Sequence, residues 1–200
     1  MHLPWKRFLV VLVLVALDQW SKAAVFEYLD PQRLIHDAPA ALEIDPHGHR
    51  RLVLVDPWFA FMLSLNPGAA FGRLGDFPHF LIWGRALAVV FLTAWTWRVS
   101  LRPRAHFLAL VLVLAGAAGN LIDNLWTGPH VEGHPYGLVR DFLDVWFVSA
   151  EEGRGGWGWD YHFPTFNVAD ACITVGAILW IAGSFLQRGA GDDDTQPEPA

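Results

Sequence analysis

Four separate segments of this chain, about 8–27, about 80–98, about 107–126 and about 168–187, stay apolar for close to the ~20 residues a helix needs to cross ~30 Å of hydrocarbon. Within a bilayer no water is at hand to satisfy peptide groups, so each segment must close its own backbone hydrogen bonds and become a helix. Composition agrees: 54% of the 200 residues are hydrophobic and 11 are Trp, a residue that gathers where hydrocarbon meets water. A net charge of −6 offers no basic surface to nucleic acid, which is excluded as a partner.

Positive charge in short connections orients the spans. Lys6 and Arg7 precede the first, Arg98, Arg102 and Arg104 join the second to the third, and Arg188 follows the last. Both termini are therefore expected in the cytoplasm, and the long connections 28–79 and 127–167 outside it. The first span has the basic start and short apolar core of a cleaved signal peptide. Asp18, Lys22 and three further spans favour a retained helix instead. The second half of the first connection, "VLVDPWFAFMLSLNPGAAFGRLGDF", breaks apolar runs with Asp-Pro and Asn-Pro-Gly, a pattern of a few strands. The fold class expected is an all-α membrane protein of four transmembrane helices with a small extracytoplasmic β-rich platform. Residues 1–188 would form one polytopic domain, and 189–200, ending "GDDDTQPEPA", a polar, disordered cytoplasmic tail.

Polar residues inside such spans need a reason, because ionisable groups at membrane depth are expensive and mark functional sites by default. Asp18 and Lys22, four apart in "ALDQWSKAA", share a helix face and can pair, which also suits a purely structural role. Asn120 and Asp123 end the third span in "AGAAGNLIDNLW", and the same N-x-x-D spacing returns as Asn167 and Asp170 where the fourth begins. Each pair lies three apart on one helical face, so two such faces could meet near the outer surface or form a helix-packing network. Between them "GLVRDFLDVWF" alternates Val139, Asp141 and Leu143 against Arg140, Phe142 and Asp144, as a short extended segment would. Two close carboxyls cannot both ionise comfortably, so one keeps a proton while the other can take one from water. Spacing does not choose the two among Asp123, Asp141, Asp144 and Asp170. Asn66, in "LNPGAAFG", is a candidate for holding an extended peptide through its amide, beside the plain reading of a turn.

Other chemistries have less support. His130 and His134, or His47 and His49, lie in loops with no H-E-x-x-H and no paired cysteines, so no metal site is expected. Ser21 and Ser64 lack any nucleophile context. Cys172, the single cysteine, fits a small core residue.

With these residues in view the chain resembles the lipoprotein signal peptidases (signal peptidase II), bacterial four-span aspartic proteases. "DQWSK" resembles the family's D-Q-x-S-K, "NPGAAFG" its N-x-G-A-A-F-G, "GNLIDN" its G-N-x-x-D-R, "GLVRDF" its G-x-V-x-D-F and "FNVAD" its F-N-x-A-D. The resemblance implies removal of signal peptides from diacylglyceryl-modified prolipoproteins before the lipidated Cys, at the outer surface of the bacterial inner membrane. It implies Asp141 and Asp170 as the catalytic pair, with Asp18, Lys22, Asn66, Asn120, Asp123, Arg140 and Asn167 around the substrate. No cofactor is implied, and partners would be lipidated prolipoproteins and membrane lipid, with the enzyme a monomer. Two features depart from the pattern. Asn124 stands where the family has Arg, a role that Arg140 could take over. Asp141 also lies 18 positions after Asp123, and Asp170 29 after Asp141, longer intervals than the resemblance implies. The alternative from another class is a small transporter or proton relay through Asp18, Asp123 and Asp170.

Charge placement yields a topology test. In a Cys172→Ala background, an impermeant thiol reagent added to intact cells should label Arg154→Cys and leave Arg102→Cys untouched. The reverse pattern would overturn the orientation.

Overall fold

The computed structural model describes residues 5–34, 39–44, 49–67, 77–98, 104–147 and 161–192. Each apolar segment is a helix: α1 (Trp5–Tyr28), α3 (Pro78–Arg98), α4 (Arg104–Ile122) and α5 (Val168–Asp192), with a one-turn α2 (Pro31–Leu34) after the first. All four long helices are long and apolar enough to cross a membrane. α3 starts on Pro78, whose missing N–H costs nothing in a first turn. α4 runs directly into a π-helical turn, Asp123–Thr127, closed by Gly128 N–H on Asp123 O at 2.8 Å. α5 continues to Asp192, past the expected end of its span at 187, and 193–200 lie outside the described residues.

α4 is the central helix. In its most apolar stretch 56% of residues are buried, against 11–22% in the other three. Val111, Leu114 and Ala115 form the bundle core with Val11 of α1, flanked by Val89 and Leu92 of α3. α5 packs closest, and Gly116 is why: a Cβ there would stand 2.2 Å from Ala169 O. Outward faces are apolar, with Leu12, Trp20, Phe80, Trp83 and Leu87 exposed, as hydrocarbon rather than water requires.

The term "all-α" does not hold, because the connections form one five-stranded antiparallel sheet in the order β1 (Leu42–Ile44), β2 (Arg50–Val55), β3 (Phe59–Asn66), β4 (Val139–Phe147), β5 (Tyr161–Phe166). Strands from both connections share it, so the platform is larger than the first connection suggests. Leu52 and Leu34 pack with Leu29 at the end of α1, which anchors the sheet to the bundle. β4 lies between two bulges: three residue steps on β3 (Phe61 to Ser64) face two on β4 (Leu143 to Asp141), and three on β5 (Phe163 to Phe166) face two on β4 (Val145 to Leu143). Such bulges bend a strand and re-aim its side chains. The expected alternation along β4 gives way to burial of all of Val139–Phe142. Arg140 meets the π turn and α1, whereas Asp141 meets β3 and the start of α5.

Candidate active site

Two helix ends and two strands supply the site, and each polar residue has a local reason to be there. Asn167 is the N-cap of α5: its Oδ1 accepts from Asp170 N–H at 3.0 Å, and Asp170 Oδ2 accepts in return from Asn167 N–H at 3.3 Å. This reciprocal capping box satisfies two orphan donors and fixes the Asp170 carboxyl at the helix start. Asp18 supports the same end from α1, its Oδ1 accepting from Ala169 N–H at 2.9 Å, where a carboxylate suits the positive end of the helix. Gly119 allows Asp18 this position, since a Cβ there would lie 2.6 Å from Asp18 Oδ2.

The carboxyls of Asp141 and Asp170 meet around Asn167. Asn167 Nδ2 donates to Asp141 Oδ1 at 2.6 Å and to Asn120 Oδ1 at 3.1 Å, and Asn66 Nδ2 donates to Asp141 Oδ2 at 3.0 Å. Asn120 Nδ2 donates to Asp170 Oδ1 at 2.7 Å. Burial first, and then the nearby Asp170, push the Asp141 carboxyl up to about 7, while the amides of Asn66 and Asn167 and the Lys22 charge pull the other way. Burial and the neighbouring carboxyl thus favour the protonated form of Asp141.

The other two aspartates that spacing left open are committed elsewhere. Asp123 is fully buried between two cations, with Lys22 Nζ 3.2 Å from Oδ2 and Arg140 Nη2 2.7 Å from Oδ1, and it also accepts from Arg140 N–H at 3.0 Å and Thr127 Oγ1 at 2.8 Å. Asp144 serves the sheet: Arg51 Nε at 2.6 Å, Trp146 Nε1 at 3.0 Å and His162 Nε2 all converge on it, with Arg51 over the Trp146 ring and Trp146 stacked on His162.

Lys22 joins these parts. Its ammonium is fully buried and donates to Asp18 Oδ2 at 2.8 Å and Asn120 Oδ1 at 2.9 Å while facing Asp123. Apart from Asp144, every site residue named from the sequence therefore lies in one connected network, and the structure adds residues that reading passed over. Gln19 donates to Gly119 O, and its Oε1 accepts from Arg140 Nη2 and lies 2.8 Å from Thr127 Oγ1. Arg85 of α3 donates to Asn124 Oδ1. A charged residue in "FLIWGRALAVV" is the same signal that drew attention to Asp18, and it marks Arg85 equally. Asn124 does not act as an arginine would. Its Nδ2 donates to Gly137 O at 2.7 Å and its O accepts from Gly137 N–H at 3.0 Å, which fastens the end of α4 to the residues entering β4. Arg140 braces Asp123 rather than the Asp141–Asp170 pair.

Ser21 is spent on Asp18 O and Ser64 pairs in register with Asp141 in the sheet. His134 hydrogen-bonds Tyr136 O, and Cys172 is buried. His47, residues 68–76 of the "NPGAAFG" stretch and beyond, Arg102 and 148–160 lie outside the described residues. A cavity of about 640 Å³ opens beside Asp170, with Asp170, Asn66, Asn120 and Arg85 among its polar lining residues and Phe163, Phe166, Ile173 and Val175 among its apolar ones.

Fold and site together define a multi-pass membrane protein in which a sheet closes one end of a helix bundle over two neighbouring carboxyls, Asp141 buried and Asp170 partly buried. The chain belongs to the signal peptidase (SPase) II family, whose model matches residues 10–186. It is 33% identical over 201 residues to a lipoprotein signal peptidase of Shewanella amazonensis, covering 96% of this chain and 97% of that one. The corresponding figures are 33% over 193 residues for one from Cellvibrio japonicus (92% and 89%) and 31% over 182 residues for one from Solibacter usitatus (88% of each). A bacterial membrane enzyme solved by the in meso method at 2.3 Å resolution shares the fold, with a TM-score of 0.61 over 98% of this chain and 94% of that one at 22% identity.

The buried charges balance only as a set, which makes Lys22 the sensitive point. Lys22→Met should cost on the order of 3–5 kcal/mol, because it leaves Asp18 without its cation and Asp123 with one of two. A lowered unfolding midpoint in detergent would read this, with part of the loss regained in Asp18→Asn/Lys22→Met. An unchanged midpoint in the single variant would contradict the charge balance.

Proposed function

We propose that this protein is an aspartic endopeptidase that removes signal peptides from diacylglyceryl-modified prolipoproteins just before the lipidated Cys. The observation that carries the reading is the meeting of Asp141 and Asp170 around Asn167, beside a cavity with both polar and apolar walls. Family membership supplies the peptidase activity, and the named activity of its relatives supplies the substrate class. One carboxyl takes a proton from water as it attacks the scissile carbonyl. The other, protonated, polarises that carbonyl and then delivers its proton to the leaving amine. Asn66 and Asn167 hold Asp141, and Asn120 and the capping box hold Asp170, so neither carboxyl has to reorganise as charge develops.

In this reading residues 1–188 act as one domain and as a monomer in the inner membrane, with both termini cytoplasmic and the site at the outer surface. The precursor's signal helix enters from the bilayer and its lipid lies against the apolar walls. The helix composition supports a bundle in hydrocarbon, and the short-loop positive charge supports this direction. A proton relay would have to pass the apolar layer of Val11, Val111, Leu114 and Ala115 beneath the polar cluster, and that layer offers no group to carry a proton.

Asp141→Asn and Asp170→Asn should each reduce cleavage of a lipidated precursor by at least ~10³-fold while the protein stays folded and membrane-inserted. Near-normal turnover in either purified variant would remove it from the pair. Proton sharing also predicts a pH profile. A carboxyl raised to about 7 keeps its proton below that pH and loses it above, so kcat/KM should fall as pH rises through about 7. Asn66→Leu deletes a donor that favours the charged form, so the falling limb should move to higher pH even though the plateau drops. A limb that stayed in place or moved down would refute the assignment of that limb to Asp141.

A further inference from the structure

α3 presents one seam to the bundle, spaced three and four residues apart: Ile82, Arg85, Val89, Leu92 and Thr96. Ile82 and Thr96 are buried, and Val89 and Leu92 pack on the core. Arg85 occupies this seam as the one charged residue of α3 before Arg98. Its guanidinium touches Asn124 and borders the cavity that also holds Asp170, Asn66 and Asn120. It lies in the electrostatic field of Asp170, Asp141 and Asp123 together. Arg140, the other guanidinium of the region, is taken up by Asp123, Thr127 and Gln19 and does not border the cavity.

The cavity is lined mostly by apolar residues, and Arg85 with the amides of Asn66 and Asn120 supplies donors that an occupant's oxygen acceptors can meet. A guanidinium at this depth is a rigid, always charged donor fork suited to such acceptors. We propose that Arg85 is a substrate-positioning residue, braced by Asn124, that donates to a carbonyl oxygen of the lipidated precursor in the cavity beside Asp170. The inference rests on the peptidase reading. The carbonyl belongs either to the peptide backbone or to an acyl ester of the lipid, and both present the same acceptor. Because Asn124 touches Arg85, a guanidinium carried by residue 124 would reach the same place.

The experiment uses the full chain in lipid nanodiscs with a synthetic diacylglyceryl precursor peptide. Arg85→Ala should raise KM by about ten- to a hundred-fold with kcat changed less than about three-fold, the signature of lost uniform binding. Arg85→Lys should fall between, and Arg85→Ala/Asn124→Arg should recover most of the loss. A merely structural role would instead lower kcat and the unfolding midpoint together, without rescue, and would overturn the proposal. Equilibrium binding of the same peptide to Asp141→Asn, with and without Arg85→Ala, reads the contact in the absence of turnover. A failure of the peptidase reading is thereby separated from a failure of this one, and binding unchanged within about two-fold would overturn it. If Arg85→Ala does not fold, the folded double variant decides, with retained binding in favour and lost binding against. An ether-linked lipid analogue identifies the acceptor: an undiminished effect of Arg85→Ala assigns the peptide carbonyl, and a vanished effect the ester.

Discussion

A fully buried ammonium is tolerable only if charge and hydrogen bonds surround it, and the Lys22 side chain meets that condition by drawing three elements to one point. Asp18 comes from its own helix, Asn120 from α4, and Asp123 from the π turn that ends α4. Asp18 in turn accepts from the first turn of α5, and Asn120 holds Asp170 there. Removal of this cation would leave Asp18 without a counterion and Asp123 with Arg140 alone, so the relative placement of α1, α4 and α5 at this end depends on it. Apolar packing of Val11, Val111 and Leu114 holds the bundle lower down but carries no comparable directionality.

Much of the site is made from ordinary helix-end and strand-edge devices put to chemical use. The capping box of Asn167 and Asp170 is an ordinary device of helix starts, yet here its carboxyl also borders a cavity. The π turn adds one residue to the end of α4 and sets Asp123 beneath β4, where Arg140 closes on it. Two bulges, opposite Asp141–Leu143 and Leu143–Val145, bend β4 just after Asp141. Structural and functional readings of such residues are not rivals. The groups that satisfy the backbone are the ones that hold the carboxyls in place.

Asn124, at the position where the sequence resemblance implies Arg, makes contacts of its own. A shorter amide side chain can both donate to Gly137 O and accept from Arg85, a combination that a guanidinium, which only donates, cannot make. The guanidinium that meets Asn124 comes from α3. Arg140, which the sequence offered as the substitute, is committed to Asp123.

Four helices, their approximate limits, the N-x-x-D pairs and the short strand bearing Asp141 were legible from the sequence, because hydrocarbon length, helical spacing and strand alternation act over a few neighbouring residues. Polar residues in apolar runs stood out for the same reason, and Arg85 and Gln19 carried that signal too. Local spacing could not tell which aspartates face each other. Asp123 and Asp144 look like Asp141 in sequence, and only the cations brought by Lys22, Arg140 and Arg51 separate them. The five-stranded sheet, the two bulges, the approach of α5 to Gly116 and the union of Asp141 with Asp170 arise from contacts between segments tens of residues apart. Such contacts depend on how surfaces fit and charges pair in three dimensions, and for that reason the tertiary structure alone decided them.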